Sequence, residues 1–287
     1  MKQKMSPLAG LRAFLFSVLV FGPLLLVNAM QMISILWLYV SPSLFRRYNS
    51  FWADTYWSFV VWLARNMGGF RVSFESDPLP PGENAIILSN HQSAVDIVVQ
   101  LAFGQNFGRL GDMKFFAKDV LKYIPGPGWG MVFLDCIFMK RDWTRDRANV
   151  VRQLHKFKEA GAPIWVNLYP EGTRLKPSKL KAAQEFARAQ NLPVPRNVLI
   201  PRIKGFLATV EGLEGYVEAI YDLTIAYPNG HPPTLWELLS AKGQDVKVEI
   251  KRYSVKDIPA SPEQRAQWLM DLYQAKDNQL DRLIRSF

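Results

Sequence analysis

The chain opens on an apolar pattern that has no polar counter-face. Positions 13–45 form 33 consecutive residues without charge, preceded by Lys2, Lys4 and Arg12 and followed by Arg46 and Arg47. One membrane-crossing helix needs about 20 such residues. This run is longer, and Gly22-Pro23 interrupts it. Proline removes a backbone donor and kinks a helix. One long tilted span and two shorter pieces that dip in and return fit the pattern equally. A cleaved signal peptide is the competing reading, with Val27-Asn28-Ala29 as its cleavage site. The apolar run continues past that point through Met30, Ile33, Leu36, Trp37, Leu38 and Val40, which favours a retained anchor. A second apolar stretch, 51–64, carries Trp52, Trp57 and Trp62, with Tyr48 and Tyr56 close by. Rings with one polar edge prefer the headgroup layer. The stretch is short and holds Asp54, so it predicts an interfacial or re-entrant helix, or a helix packed on the rest of the protein.

Beyond residue 68 the pattern changes. Positions 71–75 alternate like a strand, and 84–88 is a short apolar run ending in a polar loop, as a buried strand does. Residues 95–103 read as a helix, 132–139 as an apolar, β-branched strand, and 144–160 as a charged helix. Positions 164–169 predict a strand ending at Pro170, 182–190 a helix, and 198–200 a short strand before Pro201. Strands follow at 217–226 and 246–253. A C-terminal helix over 262–284 places Trp268, Leu269, Leu272, Leu280 and Leu283 on one side. Strands alternating with helices predict an α/β fold, with a mixed, mostly buried sheet flanked by helices and an N-terminal hydrophobic helical membrane anchor. The division expected is an anchoring segment, 1–68, and a catalytic domain, 69–287.

Composition narrows the function classes. Of 287 residues, 49% are hydrophobic and 21% charged, so a disordered chain is not the default expectation. Lys and Arg exceed Asp and Glu by 35 − 25 = 10. That surplus suits nucleic acid, anionic lipid headgroups or phosphorylated substrates. The charge is dispersed and no nucleic-acid-binding motif occurs, so lipid and phosphate remain. The single cysteine, Cys136, excludes an intrachain disulfide framework and a multi-cysteine zinc site.

Candidate chemistry lies just after the strands, where α/β sheets collect their sites. The run Asn90-His91-Gln92-Ser93-Ala94-Val95-Asp96 follows the strand ending near Leu88. A histidine takes a proton near neutral pH, and does so better when a carboxylate holds its other ring nitrogen. On one helix, five residues leave the two side chains roughly 140° apart. A loop His91 folded over a first-turn Asp96 brings them together. A purely structural role is open to Asp96, since Ser93 to Asp96 also matches a capping box. His155, in a charged helix, and His231, in a Pro-Asn-Gly-His-Pro-Pro loop, are poorer candidates. The second run, Tyr169-Pro170-Glu171-Gly172-Thr173-Arg174, also follows a strand. Gly172 permits close backbone approach to a ligand, and Arg174 offers a planar fork to a phosphate. Glu171 is placed to orient Arg174 or to accept from a substrate hydroxyl. Lys140 and Arg141 end the predicted strand at 132–139, and Lys114 and Lys118 are further cations upstream of the run 123–130.

These residues resemble the lysophosphatidic acid acyltransferase (1-acyl-glycerol-3-phosphate acyltransferase) family of glycerolipid acyltransferases. His91 and Asp96 match its NHxxxxD block, and Glu171 to Arg174 match its EGTR block. Phe138, Lys140 and Arg141 resemble the second block, and Val198-Leu199-Ile200-Pro201 the fourth. The run from Pro201 to Phe206 looks like a branch that includes lysophospholipid remodelling enzymes. The resemblance implies a fatty acyl chain moved from acyl-CoA or acyl carrier protein to the hydroxyl of a lysophospholipid, first of all 1-acyl-glycerol-3-phosphate. It implies His91 as general base and Asp96 as its orienting carboxylate. It further implies phosphate binding by Arg141 and Arg174 with Lys118, and acceptor binding by the loop of Glu171, Gly172 and Thr173. No metal and no cofactor beyond the acyl donor are expected. The partners expected are the lysophospholipid, the acyl donor and membrane lipids, with no nucleic acid. The catalytic domain is expected on the cytoplasmic face, at the inner membrane if the source is bacterial. A hydrolase using His91 on water and a non-enzymatic lipid-binding protein are the rival readings.

Overall fold

A computed structural model describes residues 7–140, 142–240 and 243–287. The helices in its first part are α1 (Pro7–Ile33), α2 (Ile35–Leu38) and α3 (Pro42–Asn66), followed by β1 (Phe70–Ser76), β2 (Ala85–Ser89), α4 (Asp96–Asn106) and β3 (Met113–Lys118). Then come α5 (Pro127–Phe133), β4 (Ile137–Met139), α6 (Trp143–Glu159), β5 (Trp165–Leu168), α7 (Pro177–Ala189), α8 (Ile203–Gly212) and β6 (Ala219–Ala226). The chain closes with α9 (Leu235–Leu239), β7 (Gln244–Ser254) and α10 (Pro262–Arg285). It divides into two compact units: Met1–Val72 with Ile97–Arg141 and Pro233–Asp245, and Ser73–Asp96 with Asp142–Pro232 and Val246–Phe287.

In the first unit, α1 runs unbroken through Pro23, and the turn comes later, at Ser34 and again at 39–41. A proline inside a helix costs about 3 kcal/mol. Packing offsets it, because Leu24 and Val27 bury against Tyr56 and Val60 of α3, and the Tyr56 hydroxyl donates to the Val20 carbonyl at 3.1 Å. The tryptophan-bearing stretch is therefore part of a 25-residue helix, capped by Ser41 with Pro42 in its first turn. Leu8–Leu38 is long and apolar enough to cross a membrane. Within it, Asn28 and Gln31 hydrogen-bond each other, and Ser34 accepts from Asn49 of α3 at 2.9 Å. The 132–139 run is not one strand. Residues up to Phe133 belong to α5, and only Ile137–Met139 extends, parallel to β3. Cys136 is buried just before that strand beside Ala53 and Leu134.

The second unit holds the mixed sheet, ordered β1-β7-β6-β2-β5. Strand β2 pairs in parallel with β5 and β6, and β7 runs antiparallel to β6. Every residue of β2, β5 and β6 is buried, as expected of strands covered on both faces. Helix α8 packs on α6, and α10 packs on β6 and α8. Because β6, β2 and β5 are parallel, their carboxyl ends open on one edge of the sheet. The predicted strand at 198–200 is absent. Val198 and Leu199 are buried in a loop instead.

Candidate active site

Three parallel strands deliver the site. Beyond β2 the chain leaves the sheet at Asn90, whose side chain brackets Ile225 of β6, donating to its carbonyl at 2.9 Å and accepting its N–H at 2.8 Å. That clamp sets where His91 emerges. His91 Nδ1 lies 2.9 Å from Asp96 Oδ2, and the imidazole side chain is 16% exposed while Asp96 is fully enclosed. The loop has folded the histidine over the first-turn carboxylate. The capping role is present too. The same Oδ2 accepts the backbone N–H groups of Gln92 at 2.6 Å and Ser93 at 2.8 Å, and Ser93 Oγ accepts from Val95 N–H. The two readings of Asp96 coexist in one turn.

The loop after β5 supplies the other wall. The Tyr169 ring stacks on the imidazole, centroids 4.0 Å apart and planes 20° apart. Glu171 follows, and here the structure departs from expectation. Its Oε1 accepts His91 N–H at 2.8 Å and its Oε2 accepts Leu199 N–H at 3.0 Å. It is buried, and so ties two loops together rather than pairing with Arg174 or reaching a substrate. Burial pushes its carboxyl up to about 8, against the two N–H bonds that hold it down. The loop 196–199 is itself moored, since Asp277 of α10 accepts the N–H groups of Arg196 and Asn197.

Gly172 sits at φ +66°, a conformation that side chains rarely adopt. The space where its side chain would stand is taken by Arg202, whose Cδ lies 2.9 Å from an ideal Cβ. Close approach at Gly172 is thus made by this chain's own arginine. Thr173 Oγ1 accepts from Lys179 of α7. Arg174 is exposed on the same loop, and no described carboxylate pairs with it. Lys118 ends β3 with an exposed side chain in the other unit, and Arg141 lies outside the described residues. His155 and His231 are exposed. Burial pushes the Cys136 thiol up, which suits a packed residue rather than a nucleophile. Among the described residues no group of His, Cys, Asp and Glu is arranged to hold a metal.

A further residue of the cluster belongs to no sequence motif. Tyr227, directly after β6, donates its hydroxyl to Asp96 Oδ1 at 2.6 Å. Its position beyond a predicted strand end, like that of His91, is the signal that marks it.

The cluster places an imidazole against a buried carboxylate. The Acyltransferase family matches residues 57–226, and the Acyltransferase C-terminus family matches 237–286. The 1-acyl-sn-glycerol-3-phosphate acyltransferase 2 of Brassica oleracea is 37% identical over 266 residues, covering 91% of this chain and 68% of that protein. The gamma form from Homo sapiens is 35% identical over 257 residues, covering 88% of this chain and 68% of that protein. The crystal structure of the 1-acyl-sn-glycerophosphate acyltransferase PlsC from Thermotoga maritima superposes with a TM-score of 0.52 at 19% identity, over 90% of this chain and 95% of that one. At that identity the likeness speaks for the fold. The sequence matches speak for the family: the chain belongs to the lysophosphatidic acid acyltransferase family and is an O-acyltransferase.

Proposed function

We propose that the chain transfers a fatty acyl group from acyl-CoA or acyl carrier protein to the free hydroxyl of 1-acyl-glycerol-3-phosphate, giving phosphatidic acid. The observation that carries this reading is the His91–Asp96 contact, with Nδ1 engaged and Nε2 unpartnered among the described residues. The names of the relatives supply the acceptor class. With Asp96 ionised, Nδ1 carries the ring proton and Nε2 presents a lone pair. Nε2 takes the proton of the acceptor hydroxyl as that oxygen attacks the thioester carbonyl carbon. The new C–O bond forms, the C–S bond breaks, and the imidazolium returns its proton to the leaving thiolate. Ester and free thiol account for every atom.

Arg174 receives the acceptor phosphate in this scheme, with Lys118 and Arg141 as further proposed ligands. Glu171, Gly172 and Thr173 shape the loop that presents Arg174. No metal or cofactor beyond the acyl donor takes part. Residues 1–68 anchor the protein in the membrane, where acceptor and product reside, and residues 69–287 act from the cytoplasmic face. A different lysophospholipid acceptor is the alternative, and the resemblance of 201–206 to remodelling enzymes favours it. Membership of an enzyme family removes the purely lipid-binding reading.

The test is acyl transfer by purified protein in mixed micelles, with a panel of lysophospholipids and both donor types, read by mass spectrometry. Phosphatidic acid formed faster than any other product, and absent with His91→Ala, is expected. Faster acylation of a choline or ethanolamine lysolipid replaces the acceptor, and product formation by His91→Ala removes the base.

A further inference from the structure

Tyr227 lies outside all four blocks by which the sequence resembles its family, and it is fully buried. Its partner is the oxygen of Asp96 that His91 does not use. Oδ2 accepts from His91 Nδ1, Gln92 N–H and Ser93 N–H, whereas Oδ1 accepts from the Tyr227 hydroxyl. At 2.6 Å the contact has the length of a charge-assisted O–H···O⁻ bond. The terminal torsion of an aspartate is broad and roughly two-fold, so three donors on one oxygen leave the carboxylate plane weakly held. A fourth donor on the other oxygen fixes it. We propose that Tyr227 is a positioning residue for acyl transfer, its hydroxyl setting the plane of the Asp96 carboxylate and moderating that carboxylate's hold on His91.

The proposal rests on His91 as the base. A carboxylate that shares its charge with a phenol stabilises an imidazolium less than one that does not. Burial, then the Asp96 charge, pushes the Tyr227 phenol well above its ordinary range, so it stays a donor. The other titratable groups around the dyad are Tyr169, stacked on the imidazole, and Glu171, on the His91 N–H. Lys276 and Tyr273 of α10 act on Glu171 from farther out. The Asp96 charge acts on both Tyr169 and Glu171.

The experiment compares Tyr227→Phe with the full-length wild type in the same detergent, with His91→Ala in parallel. The expected result is a kcat lower by about tenfold with the acceptor KM within about twofold. The acid limb of kcat/KM moves up by about half a pH unit, because the unmoderated carboxylate holds the imidazolium more tightly. Histidine-selective NMR follows the same change directly. The chain has three histidines, and the His91 signal is the one lost in His91→Ala. A 3-fluorotyrosine at position 227, a stronger donor of nearly the same shape, moves the limb the opposite way. Near-normal turnover by Tyr227→Phe overturns the proposal. So does a lower rate with the limb and the NMR titration unmoved, since that marks a packing defect alone. Turnover by His91→Ala removes the base and this proposal with it. An inactive His91→Ala beside a normal Tyr227→Phe removes only the proposal.

Discussion

At Asp96 the turn that opens α4 and the contact that orients His91 use the same oxygen, so only substitution separates the two roles. Asp96→Asn keeps one acceptor and turns an amide donor toward groups that are themselves donors. We expect transfer to fall by about a hundredfold or more. Urea unfolding should show a smaller loss, about 1–3 kcal/mol. An activity loss no larger than the loss of folded protein would assign Asp96 to the turn alone. Glu171 gives a pH prediction. Its carboxyl moves from an ordinary 4.5 to about 8 in the folded chain, so the folded state holds this proton more tightly than the unfolded one. That contribution to stability is complete below 4.5, declines as pH rises, and is gone above about 8. Thermal midpoints from pH 5 to 9 should therefore fall more steeply for the wild type than for Glu171→Gln, which has no proton to lose. Parallel curves would refute the assignment. The spacing of His91 and Asp96 made their contact legible in the sequence. The role of Glu171 was not, because its two donors come from residues 80 positions before and 28 positions after it.

Among the elements, α10 is a support for the site rather than a simple cover. The Tyr273 hydroxyl donates to the carbonyl of Ser89, two residues before His91, and Asp277 holds the loop that reaches Glu171. Between them Lys276 makes a fully buried ion pair with Asp222 of β6 at 2.6 Å and donates to the Leu223 carbonyl. Burial works against both charges, lowering the lysine and raising the aspartate. Lys276→Met leaves Asp222 charged and alone, at a cost of about 3–5 kcal/mol. Adding Asp222→Asn should recover part of that loss in a denaturation series, and simple additivity would show the pair to be uncoupled. The elements that pattern failed to predict share a cause. Lys114 breaks the period of β3, yet it is buried with its ammonium on the Gly111 carbonyl. The 198–200 segment resembles a strand, but Leu199 N–H goes to a carboxylate instead of a neighbouring strand. Helix α8 rests on α6 through Gly212, which lies against Leu154, a contact invisible to local periodicity.

For the whole molecule, the first helix carries two kinds of apolar residue. Leu24 and Val27 face α3, whereas Leu11, Leu15, Val18 and Leu26 are exposed. Exposed apolar residues in such number mark a surface that meets lipid or protein. Changing Leu11, Leu15, Val18 and Leu26 together to Gln should move the folded protein from the membrane pellet to the supernatant, read by sedimentation and near-ultraviolet dichroism. Retention in the pellet would assign anchoring elsewhere. Deleting 1–47 is a poorer test, because it also removes the packing under Tyr56 and Val60. The sequence by itself determined the α/β class, the long apolar run, the contact of His91 with Asp96 and the family, since each rests on periodicity or on residues a few positions apart. The tertiary structure alone decided that Pro23 stays inside a helix, that Arg202 fills the space over Gly172, that Glu171 braces two loops and that Tyr227 meets Asp96. Those contacts join residues that are 28 to 131 positions apart or depend on packing, and parallel strands bring them together only once the sheet has formed.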